Sequence, residues 1–345
     1  MGQRLAIFAS YHREGMVDSY KLKVLEGIRP YVSGLVAVCN GTVNDAGYRK
    51  LCRIADEVIV RDNVGYDAGA YKDVLLQMRK DRQLEKYEEV ILLNDTFFGF
   101  LYSLDEFFSE VHRKENIDFW GITKHPEGED TAGNRYNEHI QSYFILIRRR
   151  MFQSEDFWGF WDGLQYPRSF QEAVANFEIA FSAYFKEKGY IGDAYCNLGK
   201  IGIEEKYNEN PYMIYPYDLV CKARCPVLKV KSVYLEATDD IEGVFRAIGF
   251  LERHGLYDTD IIRQYMRGLC GSEDRKPYFD IQELEGFYNK YHKIYIYGNG
   301  KYGKRMKKYL KMQGIEVEKF VVSHKIAGMK EDVTALCDLE VRPDM

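Results

Sequence analysis

EVIVRDNVGYDAGAYKDVLL, residues 57–76, decides how this chain is read. An apolar, β-branched run at 57–61 gives way to a polar, glycine-bearing turn over 61–69, and a pattern of helical period follows near 67–82. Strand, loop and helix thus come in the order that a parallel α/β layer requires. Three similar runs lie around it, RLAIFA at 4–9, GLVAVC at 34–39 and EVILL at 89–93, with helix-period segments near 17–30 and 46–55 between them. Short strands joined by helices and apolar on both faces form a parallel sheet with right-handed crossovers. Such sheets collect ligands outside the carboxyl ends of their strands.

Downstream the pattern changes. Strands are predicted at 117–122 and 139–147, and a helix over 169–188 opens on the capping box Ser169-x-x-Glu172, just after Pro167. Residues 239–290 read as helices alone, and a second α/β unit begins at 293. The polar stretch GSEDRKP at 271–277 marks a boundary near 275–280. The expected organisation is a large α/β domain over 1–235, a helical connector over 236–280 and a small Rossmann-like βαβ unit over 281–345, cut short at its end.

Bulk properties narrow the function. With 46% hydrophobic and 29% charged residues, the chain is globular rather than disordered. A net charge of −5 excludes nucleic acid as the main partner, since phosphate backbones select basic surfaces. The first apolar run is too short for a leader or a membrane span, and no later stretch reaches membrane length without charges. Seven cysteines form no zinc-ligand pattern; free thiols point to a reducing compartment, the cytoplasm.

All four early strands end in polar loops: Ser10-Tyr11-His12, Asn40-Gly41-Thr42, the 61–69 turn, and Asn94-Asp95-Thr96. Singly, each is ordinary turn chemistry. Together, on one edge of one sheet, they make a pocket for a ligand with a base, a ribose and phosphates. Tyr11 offers a face for stacking, and Asn40 and Thr42 offer donors and acceptors to a base edge. Gly65 and Gly69 let backbone approach a diphosphate at a helix mouth. Arg61 can pair with phosphate oxygens, and Asn63 and Asp67 with the same ligand's polar groups. Asp95 can hold Mg²⁺ or Mn²⁺ bridging the two phosphates.

The order YH, NGT, DNVGYDAGA, NDT resembles the donor-site series of GT-A glycosyltransferases. More specifically, RDNVGYDAGAYKDVL, ILLNDTFFGF, DFWGIT and HIQSYFILIRRRMF resemble the rhamnan synthesis protein F family, over roughly residues 4–235. That resemblance implies a GT-A-like, mostly parallel sheet flanked by helices. It also implies transfer of a sugar, L-rhamnose from a dTDP-activated donor, to a growing or lipid-linked cell-surface glycan. A lipid-linked acceptor would bring the chain to the inner membrane face. The family carries an NDS/NDT-like triplet where other GT-A enzymes show DxD.

Inverting transfer needs a base for the acceptor hydroxyl. Glu178 lies on the helical face of Val174, Phe181 and Phe185, where apolar surroundings would raise its pKa. Its setting, FEIAFSAYFKEKGY, resembles the acidic motif of inverting GT-A enzymes, although a helix Glu bonded to a neighbour reads the same way. His139 and Gln141 share one strand face, with Ser142 beside them. They would orient acceptor hydroxyls or assist the departing phosphate, or be satisfied structurally. DFWGFW at 156–161 reads as aromatic packing rather than an acceptor groove.

Gly298-Asn299-Gly300-Lys301-Tyr302-Gly303 has the context of a dinucleotide loop, but Ser323 and His324 stand where a ribose-binding acid belongs, so no NAD is expected. Two other functions remain open, a noncatalytic sugar-nucleotide or glycan-binding module and an NAD-dependent oxidoreductase using GNGKYG.

Overall fold

A computed structural model describes residues 3–129, 133–234, 240–269, 290–291, 293–312, 314–325 and 328–339. Strands β1 (Arg4–Tyr11), β2 (Gly34–Asn40), β3 (Glu57–Arg61) and β4 (Glu89–Asn94) run parallel, linked by α1 (Ser19–Ile28), α2 (Asp45–Leu51) and α3 (Tyr66–Lys80). A short β5 (Phe97–Gly99) and α4 (Asp105–Arg113) lead to β6 (Phe119–Gly121). Two small antiparallel pairs follow: β7 (Lys124–His125) with β10 (His139–Ile140), and β8 (Gly128–Glu129) with β9 (Arg135–Tyr136). The chain then returns as β11 (Phe144–Arg148), passes through α5 (Arg149–Phe152), α6 (Glu155–Gly163), α7 (Phe170–Ala173) and α8 (Ala180–Glu187), and adds β12 (Gly192–Ala194).

The main sheet has the order β12-β6-β11-β4-β1-β2-β3, and β11 is its single antiparallel strand. Strand alternation explains why it is covered on both faces. Ala6, Phe8, Ala37, Cys39, Ile91 and Leu93 enter one core cluster with α1 and α4, while Leu5, Ile7, Val36, Val38, Val90 and Leu92 enter another with α3, α6 and α8. Register is pinned by Arg4, which faces Glu89 across β1 and β4 and forms a buried ion pair with it. Strand order reverses between β1 and β4, and sheets of this kind hold ligands in the crevice outside the carboxyl ends of the strands there.

Two predicted elements are broken. The strand over 139–147 is two pieces in different sheets, because residues 141–143 step from β10 to β11. The helix over 169–188 is interrupted by a π-helical segment, Val174–Ile179, between α7 and α8. The aromatic run at 156–161 is core: Phe157 and Trp161 are fully buried, and Trp161 packs on Phe177 with ring centroids 5.6 Å apart. Asp118 accepts from Ile191 N–H at 2.8 Å and pairs with Arg150, bracing the β6–β12 edge.

After α9 (Pro211–Ile214), β13 (Val227–Lys229) pairs antiparallel with β5. Helices α10 (Ile241–Arg253) and α11 (Asp260–Gly268) join the core around Tyr20 and Phe98, with the Tyr20 and Tyr265 rings 5.1 Å apart. Their buried faces share that core with α1 and β5. Among the described residues, the C-terminal unit is a parallel sheet of β14 (Tyr295–Tyr297), β15 (Lys319–Val322) and β16 (Val333–Ala335) with a helix, α12 (Lys301–Met312). Its Tyr309 meets Phe245 of α10 at 4.8 Å between ring centroids. The expected boundaries at 235–236 and within 271–280 lie outside the described residues, as does Cys270.

Candidate active site

The crevice is built first by Asp95, immediately after β4. Its Oδ2 accepts from Ser10 Oγ at 3.1 Å and from Tyr11 N–H at 3.0 Å, and pairs with Lys21 Nζ at 2.8 Å. Lys21 projects from α1 and is only 2% exposed; it also donates to the Tyr11 carbonyl at 2.8 Å. Tyr20 OH holds the Asp95 carbonyl at 2.8 Å, and burial, with Asp95 nearby, pushes its pKa well up. Asp95 therefore locks β4, β1 and α1 together.

This arrangement tests the expected divalent cation. Lys21 already neutralises the Asp95 carboxylate, and among the described residues no three His, Cys, Asp or Glu side chains gather as a metal site. A divalent cation shared by Asp95 and a bound diphosphate would have to displace the Lys21 ammonium from that carboxylate.

A hydrogen-bonded chain crosses the floor of the crevice. Asp67, in the first turn of α3, accepts from Ala68 N–H at 2.9 Å and from Asn94 Nδ2 at 2.7 Å. Asn94 Oδ1 accepts from Thr96 Oγ1 at 2.8 Å, and Thr96 Oγ1 accepts from Lys229 Nζ at 2.9 Å. Burial raises the Asp67 pKa, only partly offset by its bonds to Asn94 and Ala68; Glu178 and Asp95 raise it further. Burial lowers that of Lys229 to about 8, against the opposing pull of Glu178, Asp67 and Asp95. Glu178 and Asp95 thus act on both Asp67 and Lys229.

Arg61 and Asn40 serve differently from expectation. Arg61 donates to Asp73 Oδ2 at 2.9 Å, Asn40 Oδ1 at 2.6 Å and the Val64 carbonyl at 2.9 Å, while Asn40 Nδ2 donates to the Tyr66 carbonyl at 2.9 Å. With these groups engaged, Arg61 and Asn40 shape the 61–69 turn rather than face phosphate or base. The two glycines of that turn are crowded by the protein itself. Gly65 has φ +79°, and a Cβ there would meet Tyr166 at 2.6 Å; at Gly69 it would meet the Val64 carbonyl at 2.3 Å. Asn63 and Thr42 are exposed in their loops, and Thr42 lies against Gly15. Tyr11 is 47% exposed, its ring beside Gly41.

Glu178 is presented by the π segment, a device that commonly serves functional sites. Glu178 Oε2 accepts from Ser142 N–H at 2.8 Å and Ser142 Oγ at 2.7 Å, and Oε1 lies 3.6 Å from His139 Nε2. The predicted rise in its pKa is overturned. Burial does push it up, but His139 and the two Ser142 donors outweigh burial and bring it to about 2. His139 is 3% exposed, stacks on His125 with ring centroids 5.3 Å apart, and uses Nδ1 on the Asn137 carbonyl at 3.0 Å. Gln141 turns away and accepts from Thr123 Oγ1 at 2.8 Å. The break at 141–143 puts His139 and Ser142, not His139 and Gln141, on one group.

Sequence reasoning missed Lys21 and Lys229 as site-building side chains, and read Asn94 and Thr96 only as loop residues flanking Asp95. Lys21 left a signal, standing in the stripe of Tyr20, Val24, Leu25 and Ile28 that α1 buries. Lys229 left none, since VLKVKS reads as an ordinary edge strand.

A family profile described as rhamnan synthesis protein F matches residues 35–279, well over half of the chain. The chain belongs to the rhamnan synthesis protein F family. The match runs beyond residue 235 through α10 and α11, in keeping with their shared core. The mostly parallel α/β sheet flanked by helices that the family resemblance implies is the sheet observed. Curated relatives include the uncharacterized protein y4gN of Sinorhizobium fredii, 25% identical over 186 residues (54% of this chain, 46% of that protein). Virulence protein VirA of Vibrio anguillarum is 29% identical over 195 residues (54% of this chain, 57% of that protein). The chain spans about half the length of these curated relatives. Among solved structures, a putative nucleotide-diphospho-sugar transferase from Desulfovibrio desulfuricans G20 aligns with 77% of this chain and 99% of its own at 12% identity and a TM-score of 0.34, a distant likeness that carries no weight for function.

Proposed function

We propose that this member of the rhamnan synthesis protein F family is a nucleotide-sugar-dependent glycosyltransferase whose donor occupies the crevice between β1 and β4. One observation carries the reading. Hydrogen bonds through Thr96 and Asn94 link Lys229 to Asp67, and Glu178 and Asp95 act on both, where strand order reverses between β4 and β1. Fold alone would support many activities; this convergence supports one in which charge moves.

In the proposed reaction Tyr11 stacks on the base of the donor. Glu178 takes the proton of an acceptor hydroxyl as that oxygen attacks the anomeric carbon, and the nucleoside diphosphate departs from the opposite face, giving inversion. A carboxylate with a pKa of about 2 is a weak base toward a resting hydroxyl. It accepts the proton only as the new C–O bond forms, when the hydroxyl has become strongly acidic. His139 and Ser142 hold it ionised and aimed. The proposed donor is dTDP-L-rhamnose and the proposed acceptor a growing or lipid-linked glycan, met at the cytoplasmic face of a membrane by peripheral association. Among the described residues no helix is long and apolar enough to cross one.

The test is an assay of donor hydrolysis and transfer with dTDP-L-rhamnose, UDP-glucose and GDP-mannose, on wild type and Glu178→Gln. Turnover of one donor that disappears in Glu178→Gln, with binding retained, supports the reading. Binding without turnover in either protein would instead assign a noncatalytic binding module.

A further inference from the structure

Cations at the crevice differ in one respect. Lys21 is paired with Asp95 at 2.8 Å and Arg61 with Asp73 at 2.9 Å. Lys229 has no carboxylate at ion-pairing distance among the described residues; its amine rests on the Thr96 hydroxyl at 2.9 Å and lies 4.2 Å from the centre of the Tyr143 ring. The antiparallel pairing of β13 with β5, which sets Lys229 opposite Phe97, carries the side chain to the end of β4. A partly buried ammonium with no carboxylate at ion-pairing distance is costly unless an anion arrives to meet it. Asp95 cannot be that anion while Lys21 holds it.

We propose that Lys229 is the cationic anchor for the diphosphate of the donor, so that nucleoside diphosphate binding does not require a divalent cation. The inference rests on the donor-site reading above and deepens it. It follows from the same disagreement that the expected metal site met: the carboxylate that should hold the cation is matched by Lys21, while Lys229 has no carboxylate at ion-pairing distance among the described residues. Thr96 fixes the ammonium through the chain Lys229–Thr96–Asn94–Asp67, whose links measure 2.9, 2.8 and 2.7 Å. A preset charge of this kind stabilises phosphate oxygens without reorganisation as the leaving group gains charge.

The experiment is calorimetric titration of dTDP, and separately of thymidine, into wild type, Lys229→Met and Lys229→Arg, in EDTA and again with Mn²⁺. UDP and GDP are run in parallel. Wild type is expected to bind a nucleoside diphosphate in EDTA, and Lys229→Met to bind it about 10- to 100-fold more weakly, as loss of a charge-assisted contact dictates. Lys229→Arg should retain most of the affinity, Mn²⁺ should not rescue Lys229→Met, and thymidine should bind all three proteins alike. Thermal melting of Lys229→Met, expected no lower than wild type, guards against misfolding as the cause. Undiminished diphosphate binding by Lys229→Met overturns the proposal and leaves the donor site standing, as does wild-type binding that vanishes in EDTA and returns with Mn²⁺. Failure of wild type to bind any nucleotide in either condition overturns the donor-site reading with it.

Discussion

Lys21 Nζ stands 2.8 Å from Asp95 Oδ2, and that same oxygen takes the backbone N–H of Tyr11 at 3.0 Å. The lysine comes from α1, the carboxylate from the end of β4 and the amide from the end of β1, so one ion pair ties together three walls of the crevice. Lys21→Met would leave Asp95 without its counter-charge. Breaking a buried pair by removing one partner costs about 3–5 kcal/mol. Chemical denaturation should show a loss of that order for Lys21→Met, and a smaller one for the double variant Lys21→Met/Asp95→Asn.

Lys229 should behave oppositely. Its pKa is lowered to about 8 from an ordinary value of 10.5, so the unfolded chain binds more protons than the folded one between those pH values. Folding stability from this residue therefore rises as pH climbs from about 8 toward 10.5, and the charged form costs stability below that window. Lys229→Met should melt higher than wild type at pH 7, by about 2–6 °C, and should lack the alkaline rise. Denaturation curves of both proteins at pH 7, 8, 9 and 10 would read this difference. A residue kept at a cost to stability is what a binding role requires.

Glu178 gives the acid-side counterpart. Its pKa is depressed to about 2 from 4.5, so the fold favours the carboxylate. Its contribution is complete above about pH 4.5 and is lost as pH falls through 2. The lost stability is on the order of 3 kcal/mol at most. Wild type should lose more stability than Glu178→Gln between pH 4.5 and 2, measured by urea unfolding at successive pH values.

Gly69→Ala tests the 61–69 turn. The new methyl would lie 2.3 Å from the Val64 carbonyl and 3.1 Å from the Tyr166 ring, and the backbone atom cannot yield cheaply. Destabilisation of about 1–3 kcal/mol is expected, together with weaker nucleotide binding as the turn is displaced. Melting and titration on the same preparation would check both.

The sheet could be read from sequence because its evidence is local. Alternation in 4–9, 34–39 and 89–93 is apolar on both faces, and only a doubly covered strand tolerates that. The strand-end loops were equally visible as polar sequence. What could not be read was where their side chains turn. Arg61 looks free for a phosphate until α3 swings Asp73 beside it. Glu178 looks like a strained acid on an aromatic face until the π segment and the 141–143 step bring Ser142 to it. Lys229 looks like a solvent lysine until β13 is known to pair with β5. In each case the partner is distant in sequence, and hydrogen-bond geometry rather than residue type sets the role.

The claim that the strand ends form a nucleotide-sugar site is tested most directly by thermal melting of the full chain with a panel of nucleotide sugars, dTDP-L-rhamnose among them, with Tyr11→Ala in parallel. Tyr11 is 47% exposed, so its removal should leave the fold intact. The account predicts that one nucleotide sugar raises the wild-type melting temperature by mass action and that Tyr11→Ala loses most of the shift. No shift with any nucleotide sugar, or a shift that Tyr11→Ala and Lys229→Met both preserve, would contradict it.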